Sequence, residues 1–155
     1  MIKSVIIIIL SFILESNLSN FISINTNFFN TFLVFSSLII IDNILESKES
    51  LYIFAIFTGI LYDLVFTDRI GYSILTFLIG SIIIKNINKI SKLKVNIINY
   101  LIILIMYRLI SYTILLLIGY LSFNPLKLFH SIYSSIILNL LYIITLKIIF
   151  IRGKS

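Results

Sequence analysis

Residues 56–84 read IFTGILYDLVFTDRIGYSILTFLIGSIII, and the rest of the chain is understood from this stretch outward. Two apolar runs flank a short polar turn, Thr67-Asp68-Arg69, and one acid, Asp63, interrupts the first run. A run that is apolar on every side belongs to a helix surrounded by lipid or by other helices. Two such runs joined by a tight turn predict an antiparallel helical hairpin. Gly59 stands one helical turn before Asp63 on the same face, where a small residue lets a neighbouring helix approach the backbone. Gly71 and Gly80 occupy the turn and the second arm.

Composition extends this reading to all 155 residues, of which 60% are hydrophobic and 12% charged. The mean hydropathy is +1.16. Soluble domains average about 45–50% apolar and about 25% charged residues, so both departures point to a chain whose solvent is lipid. The absence of cysteine excludes disulfides and thiolate metal sites. The net charge of +6 is distributed between apolar runs, which makes it a topology signal and argues against nucleic-acid binding.

The expectation is an all-α fold: a single integral-membrane domain over 1–155, with about six transmembrane helices near 2–21, 30–45, 51–66, 70–85, 95–121 and 128–151. Helices 2, 3 and 4 are short for spans, and five spans with a re-entrant segment is the alternative. The start MIKSVIIIILSFIL reads as an uncleaved signal anchor that forms the first helix. The turn Phe123-Asn124-Pro125 separates the last two helices. Placing the N-terminus inside collects Lys3, Lys48, Lys85, Lys89, Lys92, Lys94, Lys147, Arg152 and Lys154 on the inner side and leaves Arg69 and Lys127 outside. Both termini are then cytoplasmic. Phe28, Phe29, Phe66, Tyr72, Tyr120, Phe123 and Phe129 fall at the outer ends as an aromatic belt that also holds His130, the sole histidine.

Glu15, Asp63 and Arg108 lie well inside apolar runs, where an unpaired charge costs on the order of 3 kcal/mol or more. Each falls about 12–13 residues beyond the inner end of its helix, or about 18–20 Å, so the three can meet at one level. The expectation is that Arg108 faces Asp63, Glu15 or both, as a buried cluster that fixes helix packing.

With Gly59-x-x-x-Asp63, the aromatic-Thr turn at Phe66-Thr67, and Gly71 leading into an aromatic-rich helix with Gly80, the stretch resembles the rod shape-determining protein MreD family. Asp68-Arg69 stands where that family usually has a small residue and often proline. The resemblance implies a non-enzymatic component of the bacterial elongation machinery in the cytoplasmic membrane. Its partner there is a bitopic MreC-like protein, and through it MreB filaments, the RodA glycosyltransferase and a class B penicillin-binding protein. It implies no cofactor. It also implies a fold similar to the substrate-binding S components of energy-coupling-factor vitamin transporters.

Two classes of function follow. The first is a scaffold that binds partner transmembrane helices through small-residue faces and buried polar groups, with the basic 85–94 segment against anionic lipid or a cytoplasmic partner. The second is a vitamin-uptake subunit with an outward-facing pocket lined by Glu15, Asn17, Asp63 and Arg108. An intramembrane enzyme is disfavoured, because no span offers a Ser/His, paired-Asp or His-Glu-x-x-His arrangement.

Overall fold

A computed structural model describes residues 2–24, 31–45, 48–67, 71–90 and 96–151. Six helices follow in order: α1 (Ile2–Ile24), α2 (Leu33–Ile44), α3 (Lys48–Phe66), α4 (Tyr72–Ile90), α5 (Ile97–Leu117) and α6 (Pro125–Phe150). Among the described residues there is no strand. The helices α4, α5 and α6 are long and apolar enough to cross a membrane, while Leu33–Ile44 and Ser50–Phe66 are shorter apolar helices.

Several boundaries differ from the expected ones, for local reasons. Pro125 was expected in a turn, yet it is the first residue of α6. Asn124 caps that helix, accepting hydrogen bonds from the backbone N–H groups of Leu126 and Lys127 at 3.0 and 3.2 Å. Proline suits this position because its fixed φ is helical and its missing N–H would have had no intrahelical partner. The fifth helix stops at Leu117, short of 121, because Gly119 adopts φ +76°. Gly119 N–H bonds to Leu116 O at 3.0 Å and Tyr120 N–H to Leu115 O at 2.9 Å, which is the glycine-terminated Schellman end. Helix α4 runs on to Ile90.

The bundle is built around α2. Every residue from Leu33 to Ile41 is buried, on all sides of the helix. Its 12 residues rise about 18 Å, and α1, α3, α4 and α6 wrap it. A helix this short, with a hydrophobic surface all round, has its place inside other helices. Phe35 stacks on Tyr107 of α5 at 3.6 Å between ring centroids and tilts against Phe77 of α4 at 5.8 Å. Gly80 makes room for this layer, since a Cβ there would meet the Phe35 ring.

Polar groups share the interior with the apolar core, and large apolar side chains also cover the outside. Ile9 and Ile13 on α1, Ile53 and Leu64 on α3, Ile98 and Met106 on α5, and Ile137 and Leu141 on α6 are exposed, while Ser11, Ser36, Ser37, Thr58, Thr76 and Asn139 are buried. Several of these buried groups find partners within or between helices. Ser11 Oγ lies 2.6 Å from Tyr142 Oη, and Asn139 Oδ1 accepts from Ser36 Oγ and Phe32 N–H, each at 3.2 Å. Pairing of this kind removes the desolvation penalty of a buried polar group.

Candidate functional site

Neither α2 nor α4 carries its own side-chain cap. Phe32 precedes α2 and has no capping oxygen. Gly71 precedes α4 and has no side chain. The first N–H groups of a helix lack intrahelical partners and form the positive end of its dipole, so a buried helix start needs an acceptor, best of all a carboxylate. The two acids inside the apolar runs supply it from other helices.

Asp63 of α3 is 1% exposed. Its Oδ2 accepts from Gly71 N–H at 2.7 Å, and its Oδ1 accepts from Ser73 N–H at 2.9 Å and from Thr67 Oγ1 at 3.2 Å. The carboxylate thus closes the hairpin by capping α4. Gly59 completes this unit one turn earlier. A Cβ at Gly59 would stand 2.6 Å from Ile74 Cα and 2.9 Å from Ile74 N, so α4 packs its backbone directly on α3. Gly71 takes φ +105°, a conformation that side chains rarely adopt, and this directs its N–H at Asp63.

Glu15 of α1 is 2% exposed and does for α2 what Asp63 does for α4. Its Oε2 accepts from Val34 N–H at 2.8 Å, and its Oε1 accepts from Tyr62 Oη at 2.8 Å. Asn139 of α6 takes the neighbouring Phe32 N–H. The start of α2 is therefore capped from both sides by other helices.

Arg108 departs from expectation. It is not paired with Glu15 or Asp63. Its Nε donates to Ser131 Oγ of α6 at 2.6 Å, and its guanidinium carbon lies 5.8 Å from the centroid of the Phe32 ring. Glu15 bonds to Tyr62, the neighbour of Asp63 in sequence, and Asp63 holds Gly71 beside Tyr72, which lines a cavity with Arg108. The physical reason for the missing ion pair is that each acid already receives N–H donors at a helix N-terminus, and such charge-assisted bonds satisfy a buried carboxylate without a cation.

That cavity is about 240 Å³ and opens between α4, α5 and α6. Arg108, Lys127, Tyr72, Ser111, Tyr112 and Ser131 contribute most of its polar lining. Its walls are pinned: Tyr72 Oη and Ser111 Oγ share a short hydrogen bond, and Tyr112 Oη accepts from Asn124 N–H at 3.0 Å. Of the pocket expected from Glu15, Asn17, Asp63 and Arg108, Arg108 alone lines it. Asn17 is exposed on α1, and the two acids are engaged at helix starts.

At the other end of α2 and α4, Lys85 forms an ion pair with Asp42, and Asn88 Nδ2 donates to Asp42 Oδ2 at 2.6 Å. Asp42 and Lys85 stand near the ends of the expected 30–45 and 70–85 helices, and the fold joins them. Asn139 carries little signal by residue type, because asparagine is common in this chain. Its signal was position: an amide in the middle of an apolar helix needs partners. Among the described residues, Tyr120, Phe123 and Phe129 of the expected aromatic belt are strongly exposed, as is His130. Phe28, Phe29, Glu46, Asp68, Arg69, Lys92, Lys94, Arg152 and Lys154 lie outside the described residues. Among the described residues, no group of three or more His, Cys, Asp or Glu side chains is placed to hold a metal ion.

Comparison with family models, curated proteins and solved structures finds no match to this chain.

Proposed function

We propose that the chain is a polytopic membrane protein of six spans, with both termini cytoplasmic, that serves as a non-enzymatic scaffold of the bacterial rod-shape machinery. The apolar outer face of α1, α3, α5 and α6 suits lipid and partner helices alike. In this reading α2 is a short inner span screened from lipid by its neighbours.

One observation carries the proposal. The residues on which the resemblance to the MreD family rests, Gly59, Asp63 and Gly71, act together in the folded chain as one device that closes the α3–α4 hairpin. A rigid hairpin with a lipid-facing apolar surface is a suitable platform for a bitopic MreC-like protein, through which MreB, RodA and a class B penicillin-binding protein are engaged indirectly. With Glu15 and Asp63 both engaged as caps, neither is presented as a general acid or base.

The test is depletion of the protein in its source cell, scored by cell shape, together with affinity purification of the full chain from mild detergent. Loss of rod shape and recovery of a bitopic MreC-like partner support the scaffold. Unchanged morphology overturns it. The cavity beside Arg108 favours a second reading, an S component for vitamin uptake, and a purified chain that retains a small nutrient would select it.

A further inference from the structure

We infer that the cavity between α4, α5 and α6 is a binding site for a phosphate-type oxyanion, presented by a lipid headgroup or free in solution. The inference rests on the membrane placement of these helices and is independent of the scaffold role.

The charge balance of the cavity carries it. Arg108 and Lys127 both line it, and among the described residues its lining holds no acid. Among the described residues, no carboxylate pairs with either cation: the ion pair there joins Lys85 to Asp42, near the opposite ends of α4 and α2. Arg108 is nevertheless held in place, its Nε bonded to Ser131 Oγ at 2.6 Å and its plane near the Phe32 ring. The Arg108 side chain lines the cavity, and among the described residues Ser131 is its hydrogen-bond partner. A guanidinium with its inner edge fixed and its outer edge open is preorganised for two parallel bonds to an oxyanion.

The remaining lining fits the same chemistry. Ser111, Tyr112 and Ser131 offer hydroxyl groups, and Lys127 adds a second cation in the first turn of α6. A volume of about 240 Å³ holds a phosphate with part of its ester. The surroundings are apolar: Leu115 and Leu121 line the cavity, and Leu117, Phe123 and Leu126 nearby are 82%, 72% and 79% exposed. An anionic group on an apolar tail satisfies both kinds of surface. Among the described residues neither cation has an acidic partner, and a cation inside a membrane helix is itself a marker of a ligand pathway or site.

The experiment uses the full chain, purified in nonionic detergent and stripped of lipid. Native mass spectrometry and thermal unfolding then report binding of dioleoylphosphatidylglycerol, of dioleoylglycerol, which lacks the phosphate, and of inorganic phosphate. The expected result is a one-to-one adduct with dioleoylphosphatidylglycerol and none with dioleoylglycerol. Arg108→Gln and Lys127→Gln each weaken that adduct about tenfold, the change produced by about 1.4 kcal/mol. Lys89→Gln, an exposed site near the far end of α4, leaves it unchanged. Lys127 is itself exposed, so its variant folds even where the Arg108 variant does not. Competition by millimolar inorganic phosphate identifies a site that takes the free anion as well; lack of competition assigns it to the lipid. Equal retention of dioleoylglycerol, or equal weakening by Lys89→Gln, overturns the inference.

Discussion

Asp63 on α3 and Arg108 on α5 are both charged residues within apolar helices, and their surroundings differ in one respect. Asp63 receives two backbone N–H groups and a hydroxyl and has no polar capacity facing outward. Among the described residues Arg108 has one side-chain bond, to Ser131, and it lines a cavity. Glu15 belongs with Asp63, closed in by Val34 and Tyr62. The acids have become part of the scaffold by taking over the caps that α2 and α4 lack. The cation has not, and the comparison teaches that a buried charge can be read for structure or for binding only after its partners are known. In the α1–α4 region charge fixes the fold. In the α5–α6 region it is left for something else.

Substitution at Asp63 gives the largest expected effect. Asp63→Ala strands the N–H groups of Gly71 and Ser73 in a buried setting and is expected to lower stability by about 4 kcal/mol, at roughly 2 kcal/mol for each charge-assisted bond lost. Unfolding titrations in mixed micelles measure this. A loss no larger than that of a surface variant would end the view of Asp63 as a cap. Glu15→Ala follows at about 3 kcal/mol, because Asn139 still holds one N–H at the start of α2 while the bonds from Val34 and Tyr62 disappear.

Gly59→Ala tests the close approach of the helices directly. Its Cβ must displace the backbone of Ile74, an overpacking expected to cost about 2 kcal/mol. Gly71→Ala separates conformation from space: nothing lies within 4 Å of the added carbon, but φ is +105°, so about 1 kcal/mol of backbone strain is expected. Equal losses at the two glycines would show that crowding against α4 has no special weight. Arg108→Gln is the smallest on this scale, expected to change stability by less than about 1 kcal/mol. If it unfolds the chain as Asp63→Ala does, the contrast between the two regions fails.

Much of the fold was legible in the chain. The 56–84 hairpin, the helical character of the other apolar runs and the turn at 123–124 follow from local pattern, because lipid-type composition and turn chemistry are properties of neighbours in sequence. The boundaries at Leu117 and Pro125 were legible as well, through Gly119 and the Asn124-Pro125 pair, had these been read as a helix end and a helix start. The candidate site was legible in part. Glu15, Asp63 and Arg108 stood out as charges within apolar runs, but their partners did not follow. Opposite charge suggested an ion pair. The competing partner, a helix N-terminus, has no charged letter in the sequence, and for α2 and α4 the missing caps at Phe32 and Gly71 were its sole trace.

The sequence by itself determined that this is a helical, lipid-type chain, that three charges lie within its apolar runs, and that Gly59 and Asp63 share a face. These rest on composition, rise per residue and periodicity, which need no knowledge of neighbours. The tertiary structure alone decided that α2 is the buried centre, that the acids cap other helices, and that Arg108 borders a cavity. Each of these depends on which backbone N–H or side chain is brought within about 3 Å of a given atom, and that is set by how the helices pack.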